Sequence, residues 1–209
     1  MFEVGLWTLA AFLCGSLPFS VWIGKGILSS DIRQYGDRNP GATNVLRAGG
    51  KGAAALALAL DWLKGTIPVG LAYFGAQITG WGLAPIAIAP VAGHAFSPFL
   101  RFQGGKAVAV TAGVWTALTA WEGPTVGGLL LGLTVPLIGA NGWAVVCAMT
   151  GMMAYLWFAP PAWNGLMVRP QREIMLTIWL GQMAIIVWKH RADFVQSPLT
   201  KLRKGSSAA

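Results

Sequence analysis

Val4–Leu28 reads VGLWTLAAFLCGSLPFSVWIGKGIL, and its only charged residue, Lys25, lies near its end. A helix of about 20 apolar residues crosses a hydrocarbon core ~30 Å thick. The stretch is therefore long enough and apolar enough to span a bilayer. Further along the chain, comparable runs occupy Ala53–Ile78, Leu83–Leu100 (with Pro85 and Pro90), Ala107–Trp121, Thr125–Ala140, Gly142–Phe158 and Glu173–Trp188. The fourth and fifth runs are short and are separated by Glu122-Gly123-Pro124, so they read as half-spans or strongly tilted spans. The expectation is an all-α integral membrane protein, a bundle of about seven transmembrane helices within a range of five to seven.

Composition agrees. Of 209 residues, 55% are hydrophobic and only 11% charged, where a soluble domain carries roughly 25% charged residues. The 28 glycines follow no repeat and suit helices that approach closely in lipid. No linker divides the chain, which reads as one domain over residues 1–205 with a short disordered tail at 206–209. Cys14 and Cys147 both fall in apolar runs and read as small buried hydrophobes, without disulfide or metal partners at ligand spacing. Glu3 precedes the first apolar run, so the basic start of a secretory signal is missing.

Charge sets orientation. With seven spans, Arg33, Arg38, Arg47, Lys51, Arg101, Lys106, Lys189, Arg191, Lys201, Arg203 and Lys204 fall on one side, against Arg169 and Arg172 on the other. The basic side is expected to be cytoplasmic and the N-terminus outside. Positive-inside topology and anionic lipid account for the net charge of +8 without nucleic acid.

The polar residues collect in islands. Tyr35–Lys51 holds Asp37-Arg38-Asn39-Pro40-Gly41-Ala42-Thr43-Asn44 and Arg47. Gly admits close backbone approach, and Thr43, Asn44 and Arg47 bring donors, as a phosphate cradle requires. The plainer reading is a solvated basic connector. Gly93–Lys106 carries His94 and ends in Gly104-Gly105-Lys106 at the start of the fourth span, where free N–H groups favour an anion. His94 reads either as a general base or phosphate donor, or as a hydrogen-bonded interfacial histidine. Gly49-Gly50-Lys51 opens the second span in the same way. Trp188–Asp193, with Lys189, His190 and Asp193, resembles a stop-transfer cluster. Within the second span, Asp61 and Lys64 share a helix face at i,i+3. They are expected to pair with each other or with the islands, since lone charge in a bilayer is costly.

Together these segments resemble the bacterial membrane glycerol-3-phosphate acyltransferases that use acyl-phosphate donors. The resemblance rests on Gly15-Ser16-Leu17-Pro18, Asn39–Arg47, Asp61-x-x-Lys64-Gly65, Gly93-His94-x-Phe96-Ser97, Phe102-x-Gly104-Gly105-Lys106 and Lys189-His190-Arg191. It implies a seven-helix bundle with polar motif loops on the cytoplasmic side of the inner membrane. It implies transfer of a fatty acyl group from acyl-phosphate to the first hydroxyl of glycerol 3-phosphate, with lysophosphatidic acid and phosphate as products. No cofactor or metal is implied; the partners are membrane lipids and the two substrates, with no nucleic acid, and oligomeric state stays open, a monomer included.

Carried over by motif, Arg47, Lys106 and His190 bind phosphate, with Lys189 beside them. Asn39, Thr43 and Asn44 shape the loop or hold the glycerol part, Gly104 and Gly105 offer N–H groups, and Asp61, Lys64 and Asp193 support. Lys106 and His190 are the catalytic candidates, and the hydroxyl proton goes to a substrate phosphate, His94 or Asp37. The chain departs from the family pattern at Asp37-Arg38, where Ser-Gly is usual, and at Asp193, where Asn is usual. It also has Gly139-Ala140-Asn141 in place of a Tyr-x-Ser segment, and Ala107 where Gly is usual. Such departures fit a divergent paralogue with another acceptor, and a transporter or binding protein for a phosphorylated or lipidic anion is the alternative of a different class.

Overall fold

The stretch Val4–Leu28 forms two helices rather than one rod. Helix α1 (Phe2–Ser16) ends at Leu17 and α2 (Phe19–Leu28) starts after Pro18. Pro18 has no N–H to continue the ladder. In a membrane the carbonyls freed by such a break need partners, and both come from elsewhere in the fold. Ser97 Oγ donates to the Ser16 carbonyl at 2.6 Å, and Lys64 Nζ donates to the Leu17 carbonyl at 2.8 Å.

The computed structural model describes residues 1–138, 141–164 and 169–195. The C-terminal tail, the cations Lys201, Arg203 and Lys204, and the Gly139-Ala140 departure lie outside them. The remaining helices are α3 (Ala42–Arg47), α4 (Lys51–Gly70), α5 (Leu83–Ala95), α6 (Val108–Thr119), α7 (Glu122–Ile138), α8 (Asn141–Phe158) and α9 (Arg172–Lys189). By length and composition, Phe2–Leu28, Lys51–Gly75 and Gly80–Leu100 are long and apolar enough to cross a membrane. Helix α6 has 12 residues and at ~1.5 Å per residue extends only ~18 Å, short of the hydrocarbon core.

Helix contacts are made where side chains are small. Added Cβ atoms would collide with backbone at Gly15 (against Pro90) and Gly93 (against Phe12), where α1 meets α5. The same holds at Gly65 (against Val110) and Gly113 (against Trp62), where α4 meets α6. Such close approach drives helix association where lipid offers no hydrophobic contrast. A core of Leu83, Ala87, Val91, Val110, Val114, Trp115, Leu118, Met152, Leu156 and Ile178 joins α5, α6, α8 and α9. Gln182 ties it together, accepting from Trp115 Nε1 at 2.8 Å and donating to the Ala87 carbonyl at 3.0 Å.

Two expectations are corrected. Cys147 is exposed on the bundle surface and Cys14 only partly buried; both are free thiols. The two Gly-Gly-Lys segments also differ. Lys51 is the first residue of α4 and is exposed, whereas α6 begins at Val108, so Lys106 precedes the helix on a connector that ends at Ala107 with φ 63°.

Candidate active site

One end of the bundle gathers the loop before α3, α3 itself, the α5–α6 connector, the start of α8 and the end of α9. They line a cavity of about 490 Å³. Asp37, Asn39, Thr43, Arg47, Lys106 and His190 line its polar end; Leu131, Val135, Val145, Ala148, Met149 and Met152 line its apolar end. Asp61, His94 and Thr111 line it as well.

Lys106 is the hub of the polar end. Its Nζ lies 3.1 Å from Asp37 Oδ2 and 3.2 Å from Asp193 Oδ2. Asp37 Oδ1 accepts from Asn44 Nδ2 at 3.1 Å and from the Asn39 N–H at 3.3 Å, with Arg47 Nη1 3.7 Å away. Arg47 Nη1 also donates to Asn44 Oδ1 at 2.9 Å, and Asn44 Nδ2 to the Asn39 carbonyl at 2.8 Å. Buried Asn44 is thus the staple of the loop. Gly36 takes φ 54°, and a Cβ there would strike the Arg47 guanidinium. Partial burial pushes the Asp37 carboxyl up, but the Lys106 ammonium and the Asn39 and Asn44 donors outweigh it and hold the carboxyl below its ordinary value.

His190, at the C-terminal end of α9, is buried. Its Nδ1 lies 2.9 Å from the Ile186 carbonyl. A carbonyl only accepts, so Nδ1 carries the proton and Nε2 of the neutral ring is left as an acceptor. Burial pushes the imidazole below its ordinary value, although the Ile186 carbonyl acts the other way.

Several candidates are placed differently from the sequence reading. Lys189 is not brought to the cavity wall; its Nζ donates to the Ala95 and Gly104 carbonyls at 3.0 and 2.8 Å and clips the connector to α5. The Gly105 N–H donates to the His94 carbonyl at 3.0 Å and is not left open for a ligand. Gly105 is small because the His94 ring lies where a Cβ would be. His94 Nδ1 lies 3.8 Å from Asp61 Oδ1. Asp61 and Lys64 pair at 2.7 Å, both buried, and Ser20 Oγ donates to Asp61 Oδ2 at 2.9 Å. This buried network joins the α1–α2 break to the cavity floor.

Thr111 and Trp62 line the cavity without having been marked in the sequence. Thr111 is 4% exposed, and its hydroxyl has no hydrogen-bond partner among the described residues. Threonine inside an apolar run carries no sequence signal of its own. Trp62 also lines a groove of about 710 Å³ on the bundle surface with Trp121, Pro124 and Gly128, so the two spaces adjoin between α4 and α7.

The cavity of this helical membrane protein thus combines charged groups, Lys106 and Arg47 with Asp37, and an apolar lining. Comparison with known proteins narrows this. Residues 5–197 match the glycerol-3-phosphate acyltransferase family. A glycerol-3-phosphate acyltransferase of Anaeromyxobacter sp. is 36% identical over 191 residues, covering 88% of this chain and 87% of the relative. One of Bordetella pertussis is 36% identical over 199 residues, covering 95% and 87%. Among solved structures, PlsY (YgiH), an integral membrane glycerol 3-phosphate acyltransferase, aligns in its glycerol 3-phosphate form with a TM-score of 0.76 at 30% identity, covering 92% of this chain and 90% of that one. Its lysophosphatidic acid form gives 0.77. The chain belongs to the glycerol-3-phosphate acyltransferase family.

Proposed function

We propose that the protein transfers a fatty acyl group from acyl-phosphate to the first hydroxyl of glycerol 3-phosphate, releasing lysophosphatidic acid and inorganic phosphate. The observation that carries this reading is the single cavity that joins Lys106, Arg47 and His190 to an apolar end at Leu131, Val135, Met149 and Met152. Phosphate belongs with the cations and N–H donors, and the acyl chain with the methionine-rich end. The acyl carbonyl then lies between them.

The acceptor hydroxyl oxygen attacks the carbonyl carbon, and the bond from that carbon to the phosphate oxygen breaks. The electron pair leaves with the phosphate. The hydroxyl proton goes to His190 Nε2 or to a substrate phosphate oxygen. Asp37 and His94 are less suited to accept it, because Asp37 is held ionised among donors and the His94 ring packs under Gly105. Lys106 and Arg47 stabilise charge as the phosphate departs, and holding both substrates in one cavity contributes the remainder.

The purified protein is incubated with palmitoyl-phosphate and glycerol 3-phosphate. Lysophosphatidic acid and phosphate in equal amounts are expected. Acceptor-dependent phosphate release with a different acylated product would replace the acceptor, and saturable binding without turnover would favour a carrier.

A further inference from the structure

In the described structure the strongest anion-binding donors of the polar end already hold an anion, and it is a side chain. Asp37 gathers Lys106 Nζ, Asn44 Nδ2, the Asn39 N–H and, at longer range, Arg47 Nη1 around its two carboxylate oxygens. These donors come from the α5–α6 connector, the loop before α3 and α3 itself. Asn39, in the loop, and Asn44, on α3, are near neighbours of Asp37 along the chain. Lys106 is not; a cation from a distant segment has come to the carboxylate. A carboxylate and a phosphate oxygen take the same charge-assisted donors, so the two compete for one cradle.

The Asp37 side chain is 43% exposed. It therefore sits at the cavity mouth rather than locked inside, and a change of χ1 between staggered wells frees it without moving the backbone. Lys106 would keep a second carboxylate, Asp193, at 3.2 Å, so its ammonium does not lose all compensation when Asp37 leaves.

We propose that Asp37 is an internal stand-in for the substrate phosphate. It fills the cradle of Lys106, Arg47 and the Asn39 N–H when the site is empty, and an entering phosphate displaces it. It thereby sets the selectivity of the site: a ligand must bring more negative charge to these donors than one carboxylate does. This rests on the reading of the polar end as a phosphate site and not on the identity of the acyl acceptor. A competitor that leaves the cradle open in a tenth of the molecules weakens phosphate binding about tenfold.

Binding of inorganic phosphate to the purified full-length protein is measured by calorimetry for the wild type, Asp37→Ser, Asp37→Asn and Lys106→Ala, each checked for folding by thermal unfolding. Both Asp37 variants are expected to bind phosphate about tenfold more tightly than the wild type, and Lys106→Ala to lose binding. Equal or weaker binding in folded Asp37→Ser and Asp37→Asn would overturn the proposal and make Asp37 a permanent part of the loop frame. Absence of phosphate binding in every form would overturn it too. KM values for palmitoyl-phosphate and glycerol 3-phosphate, taken separately, show whose phosphate Asp37 stands in for: that KM falls in the variants. Tighter phosphate binding by protein that transfers no acyl group would leave this inference standing and remove the acyl-transfer reading.

Discussion

Thr111 stands out among the helical threonines. On the same helix, Thr116 and Thr119 turn their hydroxyls back to the carbonyls of Ala112 and Trp115 at 2.9 and 2.6 Å. That is the ordinary resting place of a threonine in a membrane helix. Thr111 lines the cavity on α6, and its buried hydroxyl has no such partner. An unpaired buried hydroxyl is costly, and the acyl carbonyl of a bound donor would relieve it. Thr111→Val is expected to lower kcat by about 100-fold, the magnitude of losing one donor to a developing oxyanion, with KM for glycerol 3-phosphate little changed. Thr111→Ser should restore most of the rate. A Thr111→Ser variant no more active than Thr111→Val would show that the hydroxyl is not what the rate depends on. The candidates legible in the sequence, Arg47, Lys106 and His190, all reach the cavity because their islands sit at helix ends. Thr111 was not legible, since a threonine inside an apolar run becomes meaningful only when its neighbours fail to pair with it.

At the scale of elements, the short α6–α7 hairpin is fastened at the end away from the polar site. Ala120 and Trp121 take φ 48° and 76° at the turn. Arg169, from the connector before α9, pairs with Glu122 at the start of α7, with Nε 2.8 Å from Glu122 Oε2, and donates to the Ala159 carbonyl at 2.9 Å. Tyr155 Oη and Asn164 Nδ2 both donate to Glu122 at 3.0 Å. The Arg169 and Glu122 side chains are 4% and 12% exposed. Removing one partner of such a pair leaves a buried charge, at about 3–5 kcal/mol. Arg169→Leu or Glu122→Leu should therefore lower the thermal unfolding midpoint in detergent sharply, and the double Leu variant should recover a large part of the loss. A double variant no more stable than either single one would mean that the network acts by shape and not by charge. The sequence placed Arg169 on the sparsely charged side and left Glu122 between two short runs. Nothing in their spacing announced that they meet.

For the whole molecule, the cations Arg33, Arg38, Arg47, Lys106 and Lys189 stand on segments around one end of the bundle, and Arg169 pairs at the other. By the positive-inside rule, we propose that the site faces the cytoplasm and that the N-terminus lies outside. Gln34→Cys, at an exposed position, should resist a membrane-impermeant maleimide in intact cells and react after permeabilisation. Efficient labelling in intact cells would reverse the orientation. The apolar runs, their approximate ends, the membrane setting and the gathering of polar islands were determined by the sequence alone. A lipid-exposed helix must be apolar along its length and polar groups must leave the core, so both are written in linear composition. Tertiary structure alone decided the rest. The break at Pro18 is accommodated because Ser97 and Lys64 reach the open Ser16 and Leu17 carbonyls. Lys189 serves the connector and not the cavity because Ala95 and Gly104 present carbonyls to it. Lys106 stands between Asp37 and Asp193. Each of these depends on which distant group meets a charge or an unpaired backbone atom, and that pairing is a property of the packed bundle that no local spacing carries.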